Sequence, residues 1–219
     1  MQSPIEALSL SIVAIMYVGD VVFAVSGALT AARHRMDALG IVLIGVVTGI
    51  GGGTLRDMLL GHPVWWVHNP TELILCAVAA FVTYFFRRVR VRHAQAATWA
   101  DALGLAAFAV VGAHIALKSD VSVVVAAFLG MLTATGGGVI RDVLTQTRPM
   151  IMSGEIYATA AIVGATVYAG LSHYGLTEGV AGPAAFGLAF AVRAAAIIFN
   201  LRFGVAGESL VVMGRRQQS

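Results

Sequence analysis

The chain has 219 residues, 58% of them apolar, 25 of them glycine and only 11% charged, against about 25% charged in an ordinary globular domain. With a mean hydropathy of +0.86, most of the chain is expected to have a lipid bilayer as its solvent, and apolar spans of about 20 residues each leave no room for a soluble catalytic or nucleotide-binding domain. The net charge of +3 does not point to nucleic acid, because the basic residues fall in short gaps between apolar runs, where topology signals lie.

The first span runs from about Ile5 to Ala32. It is too long for a signal peptide, and the residues before it carry Glu6 and no Lys or Arg, so it is read as a mature span with Asp20 deep inside it. The second, Ala38 to Leu60, contains Thr48, the triplet Gly51, Gly52 and Gly53, and then Arg56 and Asp57. After Trp65 and Trp66, which suit a membrane interface, the third runs from Thr71 to Phe86 and holds Cys76, a small core thiol. The fourth, Thr98 to Leu117, ends near His114, read as a packed residue rather than a ligand. The fifth, Val121 to Leu144, carries Thr133, Thr135, Gly136, Gly137, Gly138, Arg141 and Asp142. Met152 to Leu171 and Ala181 to Leu201 complete the series, the last with Arg193 at depth.

Seven spans put Arg33, Arg35, Arg87, Arg88, Arg90, Arg92, Arg148, Arg202, Arg215 and Arg216 on one side of the membrane and Lys118 alone in the loops of the other. The basic side is expected to be the cytoplasm, which leaves the N-terminus outside and the C-terminus inside.

A gapless shift of 85 superposes residues 19–59 on 104–144 with 15 identities in 41 positions. Phe23-Ala24-Val25 meets Phe108-Ala109-Val110, and Thr48 with the triplet and Arg56-Asp57 meets Thr133 with its triplet and Arg141-Asp142. Three spans separate equivalent positions, so the second copy enters the membrane from the opposite face. The expected fold is an all-α membrane protein: seven transmembrane helices as two inverted three-helix repeats, about 5–92 and 98–171, plus an extra helix at about 181–201, in one domain over 1–219. Inverted repeats of this kind supply matching half-pathways from the two faces.

Glycine triplets cost a helix roughly 1 kcal/mol per residue relative to Ala. A break or kink is expected at both, with freed carbonyls suited to a cation and freed amides to an anion; the competing reading is close helix packing. Adjacent residues on a helix diverge by about 100°, so Arg56 and Arg141 are expected to find partners other than Asp57 and Asp142. Each pair is read either as a functional intramembrane charge or as a pin tying the helix end to a loop. Asp20 and Arg193 are expected to pair as bundle glue, with Asp20 facing the pathway as the other reading. Thr48, Thr133 and Thr135 either line a polar path or bond their own preceding turn. No metal-ligand spacing, phosphate loop or nucleophile elbow is present, so neither an enzyme nor a cofactor is expected.

The doubled Gly-Gly-Gly-x-x-Arg-Asp motif within a seven-span chain resembles the prokaryotic branch of the trimeric intracellular cation (TRIC) channel family. The resemblance implies a homotrimer in a bacterial inner membrane. In each protomer, kinked spans two and five would enclose a pathway for K+ or Na+, with Gly51 to Gly53 and Gly136 to Gly138 at its centre and Arg56, Asp57, Arg141 and Asp142 beside it. The Lys-Glu-Val element of animal members, linked to phosphoinositide lipid, is missing. Some bacterial relatives are suspected of carrying small neutral amino acids such as glycine. A zwitterion carrier is therefore the second expectation, and a packing scaffold the third.

Overall fold

A computed structural model describes residues 9–86 and 93–202 of the protein. Among these residues are eight α-helices: α1 (Leu10–Arg33), α2 (Ala38–Leu60), α3 (Trp65–His68), α4 (Thr71–Phe86), α5 (His93–Leu117), α6 (Val123–Leu144), α7 (Ala158–His173) and α8 (Glu178–Ile198), with a 3-10 turn at Met150–Met152 before α7. Five of them, α1, α2, α5, α6 and α8, are long and apolar enough to cross a membrane, and α4 is a shorter apolar helix of 16 residues. The protein is an all-helical membrane protein. Glu6 and the proposed start at Ile5, together with Arg87, Arg88, Arg90, Arg92, Arg215 and Arg216, lie outside the described residues.

Local chemistry sets the helix ends. Asp37 accepts a hydrogen bond from the Gly40 amide at 2.8 Å to start α2, and Gly61, at φ 69°, ends it in the left-handed conformation that glycine adopts without strain. Ser122 caps α6 in the same way as Asp37 caps α2. The bounds of α2 and α4 match the apolar runs. The sixth run does not: α7 begins at Ala158 rather than Met152, because Ser153, Gly154 and Glu155 turn the chain, with Gly154 at φ 72°. The short α3 occupies a stretch read from sequence as a plain gap.

Small residues decide the packing. α1 and α5 pack on each other, as do α2 and α6; α1, α2 and α4 form one three-helix group, α5, α6 and α7 another, and α8 packs on α7, α5 and α1. The contacts of the two groups correspond one for one. A methyl on Gly45 would stand 2.5 Å from the Ala80 Cβ and 2.9 Å from the Ala24 carbonyl oxygen, and one on Gly130 would stand 2.7 Å from the Ala165 Cβ and 2.6 Å from the Ala109 carbonyl oxygen. Likewise Gly27 lies against Thr48, and Gly112 against Thr133. Helix association in lipid lacks the hydrophobic drive of water, so close backbone approach at small residues supplies van der Waals contact instead.

Both helices run through their glycine triplets without interruption, contrary to the expected break. A lipid environment offers no water to an opened backbone, so the internal hydrogen bonds are kept and the missing side chains are used for contact.

Candidate functional site

The two triplets meet each other. α2 and α6 cross antiparallel at Gly52 and Gly137: a Cβ on Gly52 would overlap the Thr133 carbonyl oxygen, and one on Gly137 the Thr48 carbonyl oxygen. Around this crossing Gly51 faces Ile140, and Gly136 faces Leu55, each at 3.0 Å from a hypothetical methyl. Thr48 and Thr133 are fully buried and donate to the carbonyls of Ile44 and Leu129, both at 2.6 Å, while Thr135 donates to Met131 at 2.9 Å. All three threonines bond their own preceding turn.

One turn beyond each triplet stands a buried Arg-Asp pair, and because the helices are antiparallel the two pairs lie at opposite ends of the crossing. The expectation that each Arg finds its partner elsewhere than in the neighbouring Asp fails for Arg56 and holds in part for Arg141, which bonds both its neighbour and Asp101. Arg56 donates from Nε and Nη2 to Asp57 Oδ1 at 2.9 and 2.7 Å, and Arg141 donates from Nε to Asp142 Oδ1 at 2.8 Å. The backbone directions diverge, but a guanidinium on a three-carbon stem curls back across that angle, and a buried carboxylate strongly favours the pairing. The second oxygen of each Asp reaches on to the loop: Asp57 Oδ2 accepts from the Trp65 amide at 3.4 Å and Asp142 Oδ2 from the Met150 amide at 3.1 Å. Trp65 and Met150 are themselves 85 positions apart. Each Arg-Asp pair thus pins the end of its helix to the short helical turn that follows. Gly53 leaves room for the Trp65 indole, which also lies under the Arg56 guanidinium at 5.7 Å, and Gly138 leaves room for the Tyr157 hydroxyl.

The two ends differ in how their charge is compensated. Arg141 also donates from Nη1 to Asp101 Oδ1 at 2.6 Å and to Ser26 Oγ at 3.0 Å, which ties α6 to α5 and α1. Arg193 does not pair with Asp20. It bonds Glu155 Oε2 at 2.8 Å and the Ile156 carbonyl, and lies over the Tyr157 ring at 5.1 Å. The turn before α7 brings Glu155 to it, whereas the Asp20 side chain belongs to the Arg56 end. There Asp20 and Glu72 are both fully buried; among the described residues neither Asp20 oxygen has a hydrogen-bond partner, and Glu72 has only the Trp65 indole N–H and backbone beside it. Asp101, Glu72, Ser26, Trp65 and Tyr157 were not singled out as chemistry-bearing in the sequence. For Asp101 and Glu72 the signal was present, since an acidic residue within an apolar span is a functional candidate on the same grounds as Asp20.

His114 is packed, as read: its Nδ1 and the Tyr168 hydroxyl share a hydrogen bond of 2.6 Å. It lines a pocket of about 350 Å³ with Lys118, Ser172 and Glu178, in which Glu178 holds the Lys118 ammonium at 3.2 Å. Cys76 is buried and unpaired, and among the described residues no three His, Cys, Asp or Glu side chains converge on a metal position.

Comparison with known proteins places this architecture. A family profile described as glycine transporter matches twice, at residues 13–88 and 98–173, the same 85-residue offset as the internal repeat. The UPF0126 inner membrane protein YadS of Escherichia coli (strain K12) is 45% identical over 157 residues, covering 69% of this chain and 74% of its own. Among solved structures, a trimeric intracellular cation channel orthologue from Rhodobacter sphaeroides is 41% identical with a TM-score of 0.85, over 88% of this chain and 100% of that one. A second TRIC cation channel structure is 34% identical with a TM-score of 0.81, over 90% and 98%.

Proposed function

This chain belongs to the TRIC/UPF0126 family of bacterial membrane proteins, and on that premise we propose that it is a channel for monovalent cations such as K+. The observation that carries the reading is the 41% identity, over 88% of the chain, to a protein described as a cation channel orthologue. The full proposal is a homotrimer in a bacterial inner membrane. Each protomer would have seven crossings arranged as two inverted three-helix units (about 5–92 and 98–171) plus α8, the N-terminus outside and the C-terminus in the cytoplasm. Its pathway runs between α2 and α6, past the glycine triplets.

The side-chain geometry supports a cation path in two ways. A bare Arg beside the pathway would raise the barrier to cations, but Arg56 and Arg141 are each bonded to a carboxylate. The same pairing removes the free guanidinium that would hold the carboxylate of a zwitterion. At the crossing, α2 and α6 touch through Gly52 and Gly137, so a pathway running there would be closed in this arrangement, and conduction would require the two helices to part. Once parted, the carbonyls of Thr48 and Thr133 have a second lone pair each to offer a passing cation.

The second reading, carriage of a small neutral amino acid, draws on the glycine transporter description of the matching family profile. One experiment separates the two: purified protein in planar bilayers under a KCl gradient, with labelled glycine uptake in matching proteoliposomes. Unitary currents reversing near the K+ equilibrium potential are expected. Saturable glycine uptake without unitary currents would overturn the channel.

A further inference from the structure

Among the described residues, Asp20 on α1 presents two buried carboxylate oxygens without a donor, and Glu72 on α4 has only the Trp65 indole N–H and backbone beside it, in a structure whose other buried carboxylates are firmly held. The two helices bring them to one place. Cys76, one turn after Glu72 on the same face of α4, donates from Sγ to the Asp20 carbonyl at 3.6 Å, and Gly49 of α2 packs against both Cys76 and that carbonyl. Both the Glu72 carboxylate and the Arg56 guanidinium act electrostatically on Asp20. Trp65 stands beside Glu72, and its buried indole N–H donates loosely to that carboxylate, outside strict hydrogen-bond geometry.

The repeat makes the imbalance plain. At the Arg141 end, Asp101, Asp142 and Glu155 face Arg141 and Arg193, and each carboxylate holds a guanidinium. The positions equivalent to Asp20 and Glu72 are Leu105 and Tyr157, which carry no charge. At the Arg56 end, Arg56 is the one guanidinium among the described residues that acts on Asp20, and Asp57 already occupies it. A buried carboxylate is tolerated when it is paired with a cation or bound to one. We propose that Asp20 and Glu72 together form a binding site for one partly hydrated monovalent cation, K+ or Na+, beside the α2–α6 crossing.

This deepens the cation-channel reading and rests on it for its role, as a site that draws the permeant ion into the half of the protomer that lacks a second Arg. The monovalent assignment comes from the cation-channel reading alone, since two carboxylates with water completing the shell would accept a monovalent or a divalent ion. Among the described residues no third acidic, His or Cys ligand joins them.

The test is a thermal unfolding series on the purified full-length protein in detergent, with K+, Na+, Ca2+ or N-methyl-D-glucamine as the cation at matched ionic strength. K+ should raise the midpoint over N-methyl-D-glucamine by about 3 °C at ten times the dissociation constant. Asp20→Asn and Glu72→Gln, near-isosteric and uncharged, should each abolish that rise, while Glu178→Gln, in the pocket with Lys118, should keep it. Equal midpoints for the wild type in K+ and N-methyl-D-glucamine would overturn the site, leaving the two carboxyls as a protonated pair. A K+ shift that survives both Asp20→Asn and Glu72→Gln would also overturn it, and a Ca2+ shift larger than that for K+ would overturn the monovalent assignment. Bilayer currents from the same preparations keep the two claims apart. K+ currents without a K+-specific thermal shift sink the site alone, and a shift without currents sinks the channel alone.

Discussion

Replacing Gly52 by Ala puts a methyl group into the Thr133 carbonyl oxygen and 2.9 Å from its carbon. The obstacle is backbone, so no side-chain rotation relieves it, and α2 and α6 must move apart where they cross. Overpacking of this kind costs about 1–3 kcal/mol, offset by the 0.5–1 kcal/mol or so that Ala gains over Gly within a helix. A net loss of about 1–2 kcal/mol lowers the unfolding midpoint by about 2–8 °C in a chain of this size. Gly187 in α8 is the matched control, since nothing lies within 4 Å of a methyl there, and Gly187→Ala should leave the midpoint unchanged or raise it. Gly51→Ala should fall between the two, because its methyl meets the tip of the Ile140 side chain at 3.0 Å rather than backbone. Adding Gly137→Ala to Gly52→Ala should cost less than the sum of the single effects, because one separation of the helices accommodates both methyls. Differential scanning fluorimetry in detergent gives the midpoints, and bilayer recordings of Gly52→Ala should show a raised open fraction, since the closed contact is what the methyl displaces. A Gly52→Ala protein that melts at or above Gly187→Ala would refute the reasoning.

Arg141→Ala strands the fully buried Asp101, so it should destabilise by about 3–5 kcal/mol and more than Arg56→Ala, whose partner Asp57 keeps the Trp65 amide. Asp101→Asn added to Arg141→Ala should recover part of the loss, and a double variant no more stable than the single would contradict the pairing as the cause. Tyr168→Phe removes the 2.6 Å hydrogen bond to His114 and should cost about 1–2 kcal/mol, read as a fall in the midpoint of about 2–8 °C; an unchanged midpoint would show the bond to be replaced. Asp57→Asn should loosen the α2–α3 corner and expose Trp65, seen as a red shift of tryptophan emission, and emission identical to wild type would count against the pin.

Much of the architecture was legible because lipid imposes it. An apolar run in a bilayer has one stable local structure, the helix, so the bounds of α2 and α4 followed from composition alone. The internal repeat was equally legible, since Phe, Thr, Arg and Asp recurring at one offset do not arise from a Gly- and Ala-rich bias. The 3-10 turn and the late start of α7 are missed when the apolar run is followed through Ser153-Gly154-Glu155, although a Ser-Gly pair followed by a charge is itself a turn signal.

Sequence by itself determined the membrane class and the duplicated units, and it singled out the two glycine triplets and the Arg-Asp pairs that follow them. Tertiary structure decided what those residues touch. Helix propensity judges a glycine triplet within one helix and finds a weak point, whereas the neighbour across the crossing turns the missing side chains into contact between backbones. The same holds for charge. Helical angles made Arg56 and Asp57 look like strangers, and depth made Asp20 and Arg193 look like partners. The reach of a guanidinium and the placing of Glu155 and Asp101 settled the pairings otherwise, leaving Asp20 without a donor among the described residues. Electrostatic partnership depends on distances between helices, and a linear sequence contains those only after it has folded.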